Sequence, residues 1–428
     1  MPDPLHINVR GEAQTLDLQT GDDLQRLTRI LRREGFALNT RCAGQGLCDG
    51  CLVDLLEADG STRRIRACQI TGAELRGKDT QVRIPNRSLL AHDPQVVSNF
   101  KIRVPWAHNP LLDTSRDGID QPLGAAIDIG TTTVALLLVD LGRGRVLGRH
   151  SAFNKQMRYG DDVLTRINLC STHDDMLDKL QRAVVEFTIN PLIHRALEDA
   201  DASPEQLLCY TVAANTTMLH LLAGVDPSPL GLAPFTAAFL DHRTLASTDL
   251  GLVGDAEVHL LPGAAAYVGA DLVAGCLATG QAYQDEPTLL VDVGTNGEII
   301  LRHDGQLSGC ATAAGPAFEG ARLSSGMRAA DGAIEHIRIA PDPLTITHQT
   351  IGEVEPSGVC GSAYLDFLAE GRRAGLLNIA GRFDLEHESI SPGEHGKCLR
   401  LAGHDGEAVT VTESDVASLL QAKGAIGA

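Results

Sequence analysis

A chain of 428 residues with a formal net charge of −19 is long enough for about two to four domains. It carries the wrong sign for gripping a phosphate backbone, so no nucleic-acid partner is expected. Hydrophobic residues make up 43%, yet no run approaches the roughly 18 apolar residues of a transmembrane helix, so no membrane partner is expected either. The opening MPDPLHINVRGEAQTLDL lacks the basic and apolar regions of a secretory signal. The expected location is the bacterial or archaeal cytoplasm, where ten cysteines stand as thiols or metal ligands rather than disulfides.

The first elements alternate. LHINVRG and AQTLDLQ read as a hairpin, DDLQRLTRILRREG as a helix, and GCLVDLLEADG and TQVRIPN as later strands. Between them RCAGQGLCDGC places Cys42, Cys48 and Cys51 in a loop with Gly44, Gly46 and Gly50, and Cys68 follows 17 positions after Cys51. Glycines let backbone amides fold tightly around an inorganic centre. A zinc site usually pairs two C-x2-C knuckles, whereas one C-x2-C wrapped by a longer loop is close to the plant-type ferredoxin spacing with one residue added. The expected cofactor is a 2Fe–2S cluster on Cys42, Cys48, Cys51 and Cys68; zinc and structural thiols remain the alternatives. Residues 1–85 are thus expected to form an α+β, ferredoxin-like β-grasp domain, in which Asp49 sets a negative charge beside the cluster and depresses its potential. Six further cysteines, scattered singly, read as small buried hydrophobes.

Residues 86–123, with four prolines from Pro94 to Pro122, read as a linker. Beyond them one statement is made twice. Asp128-Ile129-Gly130-Thr131-Thr132 matches Asp292-Val293-Gly294-Thr295-Asn296 at an offset of 164 residues. Each is an apolar strand ending in Asp, a Gly-Thr turn and a second apolar strand. Turn amides and hydroxyls can donate to phosphate oxygens, and an Asp at the strand end can hold Mg²⁺ through water. Two such hairpins make a clamp for the β- and γ-phosphates of ATP with Mg²⁺, from Gly130, Thr131, Thr132 and Thr133 on one side and Gly294, Thr295 and Asn296 on the other. Asp128 and Asp292 would act as the catalytic carboxylates, and Glu298 would place Mg²⁺ or a water. No GxxxxGK[ST] loop is present, which excludes a P-loop enzyme.

After Asp128 the pattern predicts strands over 124–129, 133–140 and 144–151, a helix over about 178–199, the strand LLCYTVAAN, and a helix TTMLHLLAG beginning at a Thr cap. AAAYVGADLVAGCLATG, with Gly269, Gly275 and Gly280, suits a helix packed closely at a hinge between halves. The second repeat is expected to contain only three opening strands and helices, ending in the capped helix TESDVASLLQAKGAIGA. The Gly-rich AFEGARLSSG, with Glu319 and Arg322, is expected to face the nucleotide or partner cleft, and His387 and His395 read as surface residues. The fold class is α/β: first half-domain 124–285, second half-domain 286–428.

The pair DIGTTT and DVGTNGE resembles the ATPase superfamily of actin, sugar kinases and heat-shock chaperones. With NKQMRYGDDVLTRI, AANTTMLHLLAG, PGAAAYVGADL, CATAAGPAFEGA, GVCGSAYLD and the cysteine loop, the chain more closely resembles the reductive activators of corrinoid-dependent proteins. The resemblance implies an ATP-dependent electron-transfer activator that takes an electron from a low-potential donor and reduces Co(II) to Co(I) on a corrinoid methyl-transfer protein; a homodimer is an open option. Two departures stand out. Asp49 occupies a position that is usually Gly in the family. A Gly-Gly-Phe-Gly adenosine motif and a last hinge helix are not found, so the chain is expected to be a C-terminally truncated fragment, or else a form with a crippled nucleotide site. Two rival functions are a non-hydrolysing redox and docking protein, and an activator of a dehydratase-type enzyme, whose relatives lack the N-terminal cysteine domain.

Overall fold

The computed structural model describes residues 3–9, 12–36, 38, 46, 50–57, 59–77, 81–85, 88–89, 119–320, 323–384, 387–393, 396–403 and 408–428. The chain divides into two compact units, one of Met1–His92, Gly294–Asn296 and Ala313–Ala428, the other of Asp93–Val293 and Gly297–Thr312.

In the first unit, β1 (Asp3–Val9) and β2 (Glu12–Leu18) form the expected hairpin, and α1 spans Leu27–Arg33. β3 (Leu52–Leu56), β4 (Thr62–Arg66), the short α2 (Gly72–Leu75) and β5 (Gln81–Ile84) follow. The sheet order is β2-β1-β5-β3-β4, with β1 and β5 parallel. Alternate residues Leu5, Ile7, Val53, Leu55 and Val82 meet Leu27, Ile30 and Leu31 of α1 in one buried core. The sequence pattern did not foresee β4, because Thr62-Arg63-Arg64-Ile65-Arg66 is mostly polar. Pairing with β3 holds it, together with an ion pair from Arg64 to the buried Asp54 on β3 at 2.8 Å. Most of the expected linker 86–123 lies outside the described residues.

The second unit opens on β6 (Leu123–Ile129), β7 (Thr133–Asp140) and β8 (Arg145–Phe153), an antiparallel meander. α3 (Val163–Thr172) and α4 (Met176–Val184) precede a π-helical turn over Val185–Ile189 that runs into α5 (Asn190–Asp199). The helix expected over 178–199 is therefore continuous but bulged. Thr188 stabilises the bulge by donating to Ala183 O at 2.8 Å. β9 (Leu207–Ala214) lies parallel to β6, followed by α6 (Thr216–Leu222), β10 (Arg243–Ala246), α7 (Ser247–Leu250), β11 (Glu257–Leu260) and α8 (Ala270–Ala278). The six-stranded order is β10-β11-β9-β6-β7-β8. β12 (Thr288–Val293), β13 (Gly297–His303) and β14 (Gln306–Thr312) make a separate antiparallel sheet, with Leu290 and Ile300 packed on Leu272 and Cys276 of α8.

One expectation here is corrected. The cap of α6 is Asn215, not Thr216: its side chain accepts from Met218 N–H at 2.9 Å, and its own backbone is extended, as a cap requires. A Cβ on Gly269 would lie 2.5 Å from Asn215 Cα, so this glycine seats the start of α8 against the end of β9.

The rest of the first unit holds more strands than the three openers and helices expected for the second repeat. β15 (Ala333–Pro341), β16 (Leu344–Thr350) and β17 (Gly358–Val359) form one sheet, α9 spans Gly361–Arg373, and β18 (Ile390–Gly393), β19 (Gly396–Ala402) and β20 (Val409–Thr412) form another. The last helix, α10 (Glu413–Gly427), starts at the expected capping box, Thr412 with Asp415.

Candidate functional site

The site is built where β6 and β9 end side by side. In a parallel sheet the crevice beyond the carboxyl ends of neighbouring strands is the usual place for a ligand. Asp128 is the penultimate residue of β6, opposite Ala213 of β9, and the 130–132 turn follows it. The three carbonyls of that turn are committed. Gly130 N–H donates to Thr133 O at 2.9 Å, closing the turn. Gly130 O accepts from Asn154 Nδ2 at 2.9 Å, and Thr132 O accepts from Asn154 N–H at 2.8 Å. Thr131 O accepts from Arg166 Nη2 at 2.6 Å, and Thr131 Oγ1 accepts from Asn215 Nδ2 at 3.2 Å. A Cβ on Gly130 would lie 2.6 Å from Thr133 O, so the residue is glycine because its own turn leaves no room.

The second hairpin is held more lightly. Gly294 N–H donates to Asn296 O at 2.9 Å, and a Cβ on Gly294 would stand 3.7 Å from that oxygen, an ordinary contact. Thr295, nearly buried, donates its hydroxyl to Glu319, so the Gly-rich segment around Glu319 does lie against this turn. Arg322 and His395 lie outside the described residues; His387 accepts from Ser389 N–H.

Asp292, again penultimate in its strand, pairs across β12–β13 with Glu298. Asp271, in the first turn of α8, joins them. Desolvation pushes the Asp128 carboxyl up to about 6, and repulsion from Asp271 and Asp292 adds to it. Asp271 is pushed up to about 6 by desolvation, helped by Asp292 and opposed by the Leu272 N–H it accepts. Glu298 rises to about 7 through desolvation and then repulsion from Asp292 and Asp271, and desolvation also raises Asp292. Water reaches one edge of Asp128 and Asp292, which softens both the desolvation and the like-charge repulsion. All four carboxylates belong to the second unit. Among the described residues no three acidic, His or Cys side chains stand close enough to hold an ion directly.

The sequence reading singled out Asp128, Asp292 and Glu298 but not Asp271, Asn154, Gln156, Arg166 or Asn215, which the structure places around them or around the 130–132 turn. Every one of these lies in or beside a stretch whose resemblance was noted. The missed signal was polar residues at positions where flanking apolar residues predict burial.

Of the four cluster cysteines, Cys42 and Cys48, with Asp49, lie outside the described residues. Cys51 and Cys68 are both buried, and neither is in a disulfide. The β3–β4 pairing brings them together, with Ala67 N–H donating to Cys51 O at 3.0 Å. A hydrogen bond from the Cys51 side chain, then Gln69 and the Gly46 backbone, holds the Cys68 thiol down at about 6 against desolvation. A buried cysteine pair in which the Cys68 thiolate is favoured fits metal or cluster ligation.

Comparison with known proteins decides the family. Residues 123–283 match the RACo middle region, and residues 286–428 match the C-terminal domain of RACo, the ASKHA domain. A solved structure described as a reductive activator for corrinoid, iron-sulfur protein is 30% identical over 99% of this chain and 82% of that one, with a TM-score of 0.65. The chain belongs to the reductive activators of corrinoid proteins. Its C-terminal region is an actin-like ASKHA domain. Two curated relatives are also similar. The corrinoid activation enzyme RamQ of Eubacterium limosum is 28% identical over 92% of this chain and 77% of its own length. A Co(II) methylated amine-specific corrinoid protein reductase of Methanosarcina barkeri is 24% identical over 71% of this chain and 58% of its own. Among the described residues no helix is long and apolar enough to cross a membrane.

Proposed function

We propose that this chain uses ATP to drive reductive activation of a partner corrinoid protein, returning Co(II) to Co(I) with an electron that arrives by way of a 2Fe–2S cluster. The observation that carries the nucleotide half is the meeting of Asp128 and Asp292, 164 residues apart in sequence, in one electrostatic field with Asp271 and Glu298. Carboxylates that share such a field favour a cation, and MgATP brings one together with anionic phosphates. Gly130, Thr131, Thr132 and Thr133, with Gly294, Thr295 and Asn296, would receive the phosphates, and the carboxylates would orient the hydrated magnesium.

Cys42, Cys48, Cys51 and Cys68 would hold the cluster, which when bound supplies one-electron transfer. The five-stranded mixed sheet around the buried Cys51–Cys68 pair supports the ferredoxin-like reading of residues 1–85. The division into 1–85, 86–123, 124–285 and 286–428 belongs to the same proposal. Reduction to Co(I) runs uphill, and a two-state change reversing a 99:1 population supplies about 5.5 kcal/mol, equivalent to about 240 mV for one electron.

The test is paired. Asp128→Ala and Asp292→Ala should each impair MgATP turnover and Co(I) formation, read from the corrinoid spectrum, while leaving iron content unchanged. Equal ATPase rates in wild type and both variants would refute the clamp.

A further inference from the structure

Among the described residues Arg166 is the bulkiest fully buried side chain, and it lies outside the pair of hairpins. Its guanidinium bridges four segments. Nε donates to Gly160 O at 2.9 Å, Nη1 to Gln156 Oε1 at 2.9 Å and to Met218 Sδ at 3.2 Å, and Nη2 to Thr131 O at 2.6 Å. Gln156 is itself fixed, accepting from Arg166 and donating to Leu180 O at 3.0 Å. A planar cation buried to this depth is costly unless directional bonds hold it, and the most consequential of those bonds ends on the phosphate turn.

A trans peptide unit is planar, with its C=O and N–H pointing opposite ways. The carbonyls of Gly130 and Thr131 are drawn inward by Asn154 and Arg166. The N–H groups of the same two units, those of Thr131 and Thr132, are thereby turned toward the opposite side, where an anion would sit. A free Thr131 carbonyl could rotate outward and present a negative dipole to phosphate. Arg166 prevents this. We propose that Arg166 is a positioning residue of the nucleotide site, holding the first turn with its amides outward for the terminal phosphates. This rests on the MgATP reading above.

Full-length wild type, Arg166→Met, Arg166→Lys and Asp128→Ala chains should be titrated with MgATP by calorimetry, with amide exchange measured across 128–134 and 207–222. Arg166→Met should weaken MgATP binding by at least about tenfold, the scale of one charged hydrogen bond. Exchange should speed up in the turn but not in β9 or α6. Arg166→Lys should recover part of the affinity, since an ammonium can reach Thr131 O but cannot also span Gln156 and Gly160. Wild-type affinity and turn exchange in either variant would overturn the proposal, as would equal losses in both variants with exchange raised uniformly over β9 and α6. If Arg166→Met does not fold, the lysine chain alone carries the test by the same criteria. If Asp128→Ala weakens binding and the Arg166 variants do not, only this inference falls; if wild type binds no MgATP, the reading of the site falls with it.

Discussion

The two hairpins share a motif but not a geometry, and alanine at their glycines separates them. In Gly130→Ala the new Cβ would meet Thr133 O at 2.6 Å, well inside ordinary contact, and that oxygen belongs to the first residue of β7, a strand paired on both sides. The turn must open. Opening sacrifices the 2.9 Å bond from Gly130 N–H to Thr133 O, about 1 kcal/mol, and the residual overlap adds about 1–3 kcal/mol of strain. The expected loss is about 2–4 kcal/mol. Gly294→Ala meets Asn296 O at 3.7 Å, so its cost should stay within about 0.5 kcal/mol, partly offset by a stiffer unfolded chain. Differential scanning calorimetry of full-length chains should show a lowering of roughly 5–15 °C for Gly130→Ala, scaled for a region of this size. Gly294→Ala should match wild type within a degree or so. MgATP should rescue Gly130→Ala poorly, because the same turn receives the phosphates. Equal shifts in the two variants would refute the reasoning, since it depends wholly on the different room at the two sites.

Cys51→Ala or Cys68→Ala should abolish the visible absorption of an anaerobically prepared chain, and stoichiometric zinc without iron in the wild type would sink the cluster. The raised carboxyl pKa values of Asp128, Asp271 and Glu298 mean that the folded state holds these protons more tightly than the unfolded one. Their contribution to stability is therefore full at low pH and is lost as pH rises from the ordinary carboxylate range of about 4 through about 6–7. Mg²⁺ should consequently raise the melting temperature more at about pH 8 than at about pH 5, and a pH-independent Mg²⁺ effect would count against a carboxylate site. Asp271→Asn removes one repelling charge, so the Glu298 carboxyl should titrate at lower pH, read by carbon NMR of labelled Glu; an unmoved titration would place Asp271 outside the set.

Much of this architecture was legible in the sequence, and the rest was hidden for identifiable reasons. Strands 123–129, 133–140 and 207–214 announce themselves because they are buried and continuously apolar, and an Asp-Gly-Thr turn after such a strand carries its own chemistry. β16 and β4 are half exposed and rich in Thr, His and Arg, so pairing rather than side-chain pattern makes them strands. Asp271 was passed over because an acid in the first turn of a helix is usually a dipole partner. Arg166 reaches Thr131 across 35 positions of sequence, and no local pattern reports such a contact. The cysteine spacing was readable as a ligand set, although only Cys51 and Cys68 fall among the described residues.

The duplication now has a physical sense that sequence alone could not give. The first turn has its carbonyls tied by Asn154, Arg166 and Gly130 itself, with Thr131 gripped again by Asn215. Displacing it would break several buried bonds at once, each about 1 kcal/mol or more. The second turn is closed by one backbone bond and leans on Glu319 through the Thr295 hydroxyl. On the MgATP reading, that contact would be exchanged for one to a phosphate oxygen, another anionic acceptor of the same hydroxyl proton. Two equally rigid turns would fix one spacing between phosphates and could not distinguish a bound triphosphate from its products. If MgATP binds as proposed, a first turn tied in this way and a second whose side-chain partner is exchanged would make the occupied and empty states differ in their bonds, and a ligand can shift a conformational equilibrium only through such a difference.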